Sequence, residues 1–209
     1  RYLDLIANPA VKKVFENRSK ILVSLRNFLS EKGFLEVDTP ILQTLYGGAT
    51  ARPFKTFLNE LKMDLYLRIS DELYLKRLII GGFDKVFEIG KNFRNEGIDR
   101  SHNPEFTMME CYWAYADYED MMKLSEDLFV FIAKNVLGAT SFTYQGKEIE
   151  LKKPWTRMTM KDAIKKHTKI DVDKLDNEEL QTILRNHNIN YEGDYNRGIA
   201  IELLFGELV

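Results

Sequence analysis

The sequence predicts an α+β domain in which helices pack against an antiparallel or mixed sheet. Strand-like runs follow one another through short turns, as hairpins do, instead of alternating regularly with helices. Amphipathic runs with helical spacing lie on both sides of these strands. The chain has 209 residues, of which 44% are hydrophobic and 12% aromatic, so it can bury a substantial core.

The first elements are a long amphipathic helix and a short extended segment. Apolar residues recur at helical spacing within residues 7–32, and Gly33 stands where such a helix stops. Residues 34–40 end in a proline, which disfavours helix at the preceding position. Taken alone, this pattern is also that of an ordinary connection between a helix and a strand.

A glycine turn and a strand pair follow. Gly47 and Gly48 indicate a flexible turn, although two glycines alone carry little functional information. Residues 52–59 and 63–69 alternate in the manner of two paired strands. These segments predict a hairpin beside the turn.

The next helix is predicted to begin after Asp71, whose side chain can cap it, and to run from Glu72 to Ile80. Glu72 and Lys76 are four residues apart on this helix. Such a pair is typical of a solvent-exposed ion pair, and composition alone favours that interpretation of Glu72.

Residues 85–115 form the centre of the predicted fold, with two strand-like runs around a polar loop. Because side chains alternate along a strand, each run has two faces. In the first run the apolar face carries Phe87, Ile89 and Phe93, and the polar face carries Glu88, Asn92, Arg94 and Glu96. In the second run one face carries Phe106, Met108, Glu110, Tyr112 and Ala114, and the other Thr107, Met109, Cys111, Trp113 and Tyr115. One face therefore resembles a core and the other a site.

A carboxylate inside an apolar strand needs a partner. Burying an unpaired charge is costly, so Glu110 is expected to meet a cation from the protein or from a ligand. The loop at residues 97–104 carries Asp99, Arg100, His102 and Asn103 and can close over an anion.

The rest of the chain predicts smaller elements. Asp117 can cap a helix that runs through Leu137. Residues 142–144 and 148–151 predict a small hairpin, and three short helices follow it. We therefore divide the chain into a core at residues 1–137 and a hairpin and helical region at residues 138–209.

Composition excludes several classes of function. The net charge of -2 provides no global basic field for indiscriminate nucleic-acid binding. The single cysteine excludes an intrachain disulfide and a multi-cysteine zinc site. No apolar run approaches the roughly 20 residues that span a membrane, so a cytoplasmic protein without a membrane partner is expected. The chain begins without methionine and ends inside an amphipathic run, which predicts a fragment.

The polar face suggests what it could bind. An arginine fork such as that of Arg94 suits phosphate or carboxylate oxygens. Phe106 could stack on a flat ring, and Glu110 could neutralise an ammonium group. The residues thus predict a nucleotide beside a cationic small molecule. The alternative is a buried ion-pair network of Arg94, Glu88 and Glu110, with Phe106 as core.

A family resemblance extends this hypothesis. Residues 93–118, FRNEGIDRSHNPEFTMMECYWAYADY, closely resemble motif 2 of class II aminoacyl-tRNA synthetases. Their particular sequence resembles the motif as it occurs in the lysyl-tRNA synthetase family. Residues 33–40 are similar to the motif 1 strand, preceded by a dimer-interface helix. Residues 47–54 (GGATARPF) and 66–78 (YLRISDELYLKRL) are similar to lysyl-specific segments. The resemblance is strong to about Leu137 and looser beyond it, and it implies an incomplete class II catalytic domain.

The resemblance implies a role for each matching residue. Arg94 would grip the ATP α-phosphate and the lysine carboxylate. For ATP it implies Glu96 near the adenine amino group, His102 and Asn103 by the phosphates or adenosine, and Phe106 stacked on adenine. For lysine it implies Glu72 and Glu110 at the ammonium groups, with Tyr112 and Gly48 shaping the pocket.

The implied reaction is ATP-dependent formation of lysyl-adenylate, followed by transfer of lysine to tRNA(Lys). It needs positioning and charge stabilisation but no side-chain nucleophile, and it implies Mg²⁺, whose ligands the sequence does not name. A homodimer through the motif 1 helix is also implied.

Two departures qualify the resemblance. The family usually has Ala-Pro where this chain has Ser70 and Asp71, which predicts an altered helix start with the pocket retained. Motif 3 and the anticodon-binding domain have no counterpart in the chain, so the isolated chain is expected to be inactive.

Other functions remain open at this point. Relatives that activate aspartate or asparagine would need a different pocket, because two acids repel aspartate. Another relative lysylates a translation factor. Outside catalysis, the alternatives are a synthetase-like binding or regulatory module and a dimer scaffold.

Overall fold

The computed structural model describes residues 2–191 and 193–209, and the chain divides into two compact units, Arg1–Lys153 and Pro154–Val209. It combines helices with antiparallel and mixed sheets, so the predicted α+β class is confirmed. The elements of the first unit are α1 (Tyr2–Ala7), α2 (Pro9–Glu31), β1 (Leu35–Glu36), β2 (Leu42–Gln43), β3 (Lys55–Leu58), β4 (Met63–Leu67), α3 (Glu72–Ile80), β5 (Lys85–Phe93), β6 (Glu105–Trp113), α4 (Tyr118–Leu137), β7 (Ser141–Tyr144) and β8 (Lys147–Glu150). The second unit contains α5 (Met160–Thr168), α6 (Asn177–Asn186) and α7 (Arg197–Leu208).

The predicted N-terminal helix is divided in two near its start. Asn8 has an extended backbone, and Pro9 begins α2, where the missing proline N–H costs no helical hydrogen bond. The helix ends at Glu31, and Gly33 has a φ of +81°, a conformation that favours glycine. The predicted stop at Gly33 is therefore confirmed.

Three sheets organise the first unit. The central sheet has the order β1-β5-β6, with β1 parallel to β5 and β5 antiparallel to β6. A second, antiparallel sheet has the order β2-β4-β3 and contains the predicted hairpin. The strands β7 and β8 form the third sheet, a small hairpin. The long β5-β6 pair is the platform for the candidate site.

The two faces of the β5-β6 pair differ as their alternation predicts. Phe87 is fully buried in a core with Phe28 and Leu29 from α2 and with Leu124 and Leu128 from α4. Ile89, Met109, Cys111 and Trp113 pack against that core. The opposite face carries Glu88 and Asn92, which are also buried. Both faces are thus covered, one by apolar and one by polar groups.

Helix α4 confirms its predicted cap. The Asp117 carboxylate accepts hydrogen bonds from the backbone N–H groups of Glu119 and Asp120. The helix ends at Gly138, which has a φ of +76°. Because α4 is fixed at both ends, it provides a rigid cover for the apolar face of the sheet.

The division between the two units lies between Lys153 and Pro154, later than the predicted boundary after Leu137. The physical reason is that the β7-β8 hairpin leads back to α4, where Lys153 pairs with Asp127. The second unit has its own core, which includes Ile164, Val172, Leu180, Leu184, Ala200 and Leu204. Among the described residues, no helix is both long and apolar enough to cross a membrane.

Candidate active site

The turn between β4 and α3 holds the carboxylate of Glu110. Ser70 Oγ donates a hydrogen bond to Glu110 Oε1 at 2.7 Å, and the Asp71 backbone N–H donates to the same oxygen at 3.1 Å. The Tyr112 hydroxyl donates to Oε2 at 3.1 Å. All three donors are neutral, and no ion pair to Glu110 occurs within the described ranges. No described cation thus makes direct contact with Glu110.

The glycine turn at Gly47 and Gly48 lies directly against this site. Gly48 has a φ of +84°, and a Cβ atom there would lie 2.7 Å from Glu72 Cβ and 2.9 Å from Ser70 Oγ. Only glycine satisfies both the backbone angle and the close approach. The structure thus brings together Gly48, Glu72, Glu110 and Tyr112, the four residues expected to form the amino-acid pocket with Arg94.

Glu72 also forms the ion pair with Lys76 that their spacing predicts. Lys76 Nζ lies 2.7 Å from Glu72 Oε1, one helical turn away, and the lysine side chain is exposed. An exposed pair of this kind contributes little stability. Glu72 can therefore exchange Lys76 for a ligand cation at small cost.

Arg94 and Phe106 lie together at the end of the β5-β6 pair. The guanidinium carbon of Arg94 is 5.1 Å from the centre of the Phe106 ring, and Arg94 Nε donates to the Ile69 carbonyl at 3.4 Å. Glu96 Oε1 accepts from the Arg52 backbone N–H at 3.0 Å. The guanidinium makes no ion pair with a carboxylate in the described part of the chain, so it retains capacity for an anion.

The loop between β5 and β6 is held by hydrogen bonds between its own residues. His102 Nδ1 lies 2.7 Å from Asp99 Oδ2, and the Asp99 carboxylate also accepts from the backbone N–H of Ser101 and of His102. The hydrogen bond from His102 lowers the pKa of Asp99 below its usual range. Asn103 donates to the Glu105 carbonyl. His102 and Asn103 are exposed, and Asn103 lines a cavity together with Phe106.

The buried ion-pair network exists, but with different members from the predicted alternative. Glu88 pairs with Arg68, which is 1% exposed, and Arg94 is not part of it. Arg68 Nη1 also donates to the Thr39 carbonyl and hydroxyl, each at 3.2 Å. The alternative that pairs Arg94 with Glu88 and Glu110 is wrong, because Arg68 lies between the two sheets and reaches Glu88 first.

Sequence reasoning missed Arg68. The available signal was a charged residue directly after the apolar strand β4, the same signal that drew attention to Glu110. Arg68 Nε donates to the Lys91 carbonyl at 2.9 Å and lies 3.1 Å from Asp71 Oδ1. It therefore links the end of β4 to β5 and to the start of α3.

The predicted capping role of Asp71 is wrong. Its side chain makes no capping hydrogen bond to α3 and is fully buried beside Arg68 instead. Burial raises the pKa of Asp71 to about 6, Arg68 opposes this rise, and the charges of Glu88 and Glu110 add to it. Helix α3 therefore begins without a side-chain cap.

Asp71 should give the first unit a measurable pH dependence. Its folded pKa of about 6 exceeds the ordinary value of 3.8, so the folded state binds a proton more tightly than the unfolded state. Stability therefore rises as the pH falls through about 6, by about 1 kcal/mol between roughly pH 7.5 and 5. Asp71→Asn is expected to abolish this increment. Urea unfolding followed by Trp113 fluorescence, in a Trp155→Phe background, measures it.

The exposed carboxylate of Asp84 provides the matched control for this measurement. Asp84→Asn is expected to keep the increment because its side chain lies outside the buried network. An Asp71→Asn protein that still gained stability at the lower pH would contradict the assignment.

Burial and nearby carboxylates also raise the pKa values of two residues on β6, Tyr112 and Cys111. Burial raises the pKa of Tyr112 above its usual range, and the charges of Glu110 and Glu72 raise it further. Tyr112 thus stays protonated and remains a donor to Glu110. Burial likewise raises the pKa of Cys111 to about 11, which makes its thiol a poor nucleophile.

The described residues do not provide a magnesium site by themselves. No group of three or more His, Cys, Asp or Glu side chains in residues 2–191 and 193–209 is arranged to hold a metal ion. The carboxylates of the candidate site are already engaged by Ser70, Tyr112, Lys76 and Arg68. We therefore assign no Mg²⁺ ligand among the described residues.

Comparison with known proteins identifies relatives of this chain. A family model described as tRNA synthetases class II (D, K and N) matches residues 1–192. A lysine–tRNA ligase of Roseiflexus sp. (strain RS-1) is 59% identical over 186 residues, which are 88% of this chain and 38% of the relative. That of Roseiflexus castenholzii is 53% identical over 210 residues, or 100% of this chain and 43% of the relative.

A third lysine–tRNA ligase, from Pelotomaculum thermopropionicum, is 61% identical over 175 residues, which are 84% of this chain and 35% of the relative. The chain thus spans about two-fifths of the length of the curated relatives it matches. The family model, in contrast, covers nearly all of the chain. On this match, the chain belongs to the class II tRNA synthetases of the D, K and N group.

Proposed function

We propose that this chain provides one wall of the lysine and ATP site of a lysine–tRNA ligase. The observation that carries the proposal is the Glu110 carboxylate, held by three neutral donors beside Glu72 and the Gly48 turn. A partly buried carboxylate without a cation favours an ammonium ligand. The identity to relatives named lysine–tRNA ligase supports lysine as that ligand.

Each pocket residue has a proposed part in binding lysine. Glu110 would accept a hydrogen bond from one ammonium group of lysine, while Tyr112 and Ser70 keep its oxygens in place. Glu72 would take the other ammonium group after releasing Lys76. Gly48 would leave the room for the substrate that any larger side chain would remove.

The proposed ATP contacts lie at the end of the β5-β6 pair. Arg94 would hold the α-phosphate and the lysine carboxylate with its planar fork. Phe106 would stack on adenine, with Glu96 near the adenine amino group. His102 and Asn103 would reach the phosphates or the adenosine if the loop rearranges, because both now bond within the loop.

The proposed reaction is attack of the lysine carboxylate on the α-phosphorus of ATP. It yields lysyl-adenylate and pyrophosphate, and the lysyl group then passes to the 3′ end of tRNA(Lys). Arg94 would align the two oxygens and offset the charge that develops on phosphorus. Magnesium is expected to accompany ATP, with ligands that this chain does not supply alone.

The same proposal includes the oligomeric state, the location and the domain organisation of the protein. A homodimer through α2 is supported by its exposed apolar side chains, among them Val14, Phe15 and Val23. A cytoplasmic location without a membrane partner and an incomplete class II domain stay predictions. The subdivision of the chain into a core and a helical insertion also stays a proposal.

An amino-acid panel tests the proposed function. In the gene product that contains this chain, lysine should support exchange of pyrophosphate into ATP at least about 100-fold better than aspartate or asparagine, since each lost charged pair costs a factor of ten or more. The isolated 209-residue chain should show little exchange. A preference for aspartate or asparagine would reject the proposal.

The acceptor distinguishes the remaining alternative within the enzyme class. Incubation of the active gene product with labelled lysine and either tRNA or a translation factor is expected to label the tRNA. Labelling of the factor alone would favour the alternative lysyl-transferase. An inactive gene product that still binds lysine would favour a binding or regulatory module.

A further inference from the structure

We infer that Arg68 is a positioning residue for the amino-acid pocket, because it fixes through Asp71 the turn whose donors hold Glu110. The structural part of this inference stands on contacts within the chain. The part that concerns substrate rests on the proposed function. Arg68 itself touches no substrate position and acts only through its neighbours.

Arg68 is anchored to two segments that are distant from it in the sequence. In β5 it pairs with Glu88 and donates to the Lys91 carbonyl at 2.9 Å. In the segment after β1 it donates to the carbonyl and hydroxyl of Thr39. The side chain is 1% exposed, so it cannot leave these partners for solvent. A buried guanidinium with several partners is a rigid reference point.

Arg68 is joined to Glu110 through one residue. Arg68 Nε lies 3.1 Å from Asp71 Oδ1, and the Asp71 backbone N–H lies 3.1 Å from Glu110 Oε1. The preceding residue, Ser70, donates to the same oxygen at 2.7 Å. Asp71 meets Arg68 as an ion pair without a hydrogen bond, and this pair orients both donors that face Glu110.

Arg68 is also the cation that offsets the carboxylates here. Glu88 and Glu110 lie directly opposite each other on β5 and β6, and Asp71 faces both. Without Arg68, three carboxylates would repel one another in a buried setting. Arg68 pairs with Glu88 and Asp71 and thereby offsets their charges in the folded protein. The charge of Glu110 remains for a ligand.

The two donors to Glu110 depend on the residue types at positions 70 and 71. The Ser70 hydroxyl and the Asp71 backbone N–H both donate to Glu110 Oε1. An alanine at position 70 would have no hydroxyl group and a proline at position 71 would have no N–H, so neither could replace these donors. The positioning path therefore needs donors at both positions.

Amide hydrogen exchange on the 209-residue chain tests the structural part. In Arg68→Lys and in Asp71→Asn, the backbone amide of residue 71 is expected to exchange at least about tenfold faster, because the first change replaces the guanidinium that pairs with residue 71 and the second removes the charge of that residue. Amides of the β5-β6 ladder near Val86 and Tyr112 should keep their wild-type rates. An unchanged rate at Asp71 in both variants would overturn the inference.

Steady-state kinetics on the gene product that contains the chain tests the functional part. Both variants are expected to raise the KM for lysine about tenfold and to change the KM for ATP less than twofold. Arg185→Lys, at an exposed contact with Gln181 in α6, should leave both values unchanged. A lysine KM that stays at the wild-type value, or an equal rise in both KM values, would overturn the positioning role.

The two measurements separate the possible failures. A wild-type gene product without lysine-dependent exchange would reject the proposed function, while the Asp71 amide would still decide the role of Arg68. If Arg68→Lys does not fold, Asp71→Asn decides alone, since it keeps the contacts of Arg68 with Glu88 and Thr39.

Discussion

Replacing Gly90 with alanine is expected to lower the free energy of unfolding of the first unit by about 3 kcal/mol or more. A Cβ atom at this position would lie 1.9 Å from Arg68 Nη2 and 3.1 Å from Arg68 Cζ. Because Arg68 is buried and bonded to Glu88, Thr39 and the Lys91 carbonyl, its guanidinium has no free direction in which to move. Relief of the clash requires that the buried ion pair break or that β5 shift.

Gly97 provides the matched control for this substitution. A Cβ atom at Gly97 would meet nothing within 4 Å, so Gly97→Ala is expected to change stability by no more than about 0.5 kcal/mol. Urea unfolding followed by Trp113 fluorescence, with Trp155 replaced by phenylalanine, compares the two variants. A Gly90→Ala protein within about 1 kcal/mol of the wild type would mean that Arg68 is far less constrained than its contacts indicate.

Glu110→Gln is expected to lower kcat/KM for lysine about 100-fold in the gene product that contains this chain. The amide keeps the size of the side chain and can still accept from Ser70 and from the Asp71 N–H. What it removes is the negative charge that the proposed ammonium contact needs. The loss should therefore appear in lysine activation with little change in the melting temperature.

A strand glutamate away from the site controls for the general effect of removing a carboxylate. Glu148 in β8 is exposed, and Glu148→Gln is expected to leave kcat/KM unchanged. Pyrophosphate exchange at varied lysine concentration provides both values. Equal activity in the Glu110→Gln and wild-type proteins would remove Glu110 from the lysine site and with it the central observation behind the proposed function.

The sequence was most informative where a local rule acts on its own. Side-chain alternation predicted which residues of β5 and β6 face the apolar core, because the period of a strand is fixed by backbone geometry. Gly33 and Asp117 marked helix boundaries through backbone conformation and capping, which involve only neighbouring residues. The same rules predicted the β3-β4 hairpin.

Local rules failed where a charge had a choice of partners. Asp71 satisfies the sequence rule for a helix cap, yet its carboxylate lies beside Arg68. Glu88 was expected to meet Arg94 in the ion-pair alternative, and it meets Arg68 and Thr39 instead. Thr39 and Glu88 are 49 residues apart in the sequence, so no window along the chain could have joined them.

The sequence grouped some of the site residues as the structure does, and it did not reveal the contacts of others. Residue type and the family resemblance selected Gly48, Glu72, Glu110 and Tyr112, and the structure brings these four residues together. For His102 and Asn103 the resemblance implied contacts with the phosphates or the adenosine, and this stays a prediction. In the structure, His102 bonds to Asp99 and Asn103 donates to the Glu105 carbonyl. Sequence alone did not reveal that Ser70 and Asp71 supply donors to Glu110.

The sequence by itself thus determined the α+β class, the two faces of the central strands and the residue types available for the proposed amino-acid and nucleotide site. Only the tertiary structure decided which buried cation serves which carboxylate, and which donors orient Glu110. The reason is physical. Alternation and capping are set by the backbone within a few residues, whereas a buried charge takes the partner that packing brings within reach, as Arg68 shows between two sheets.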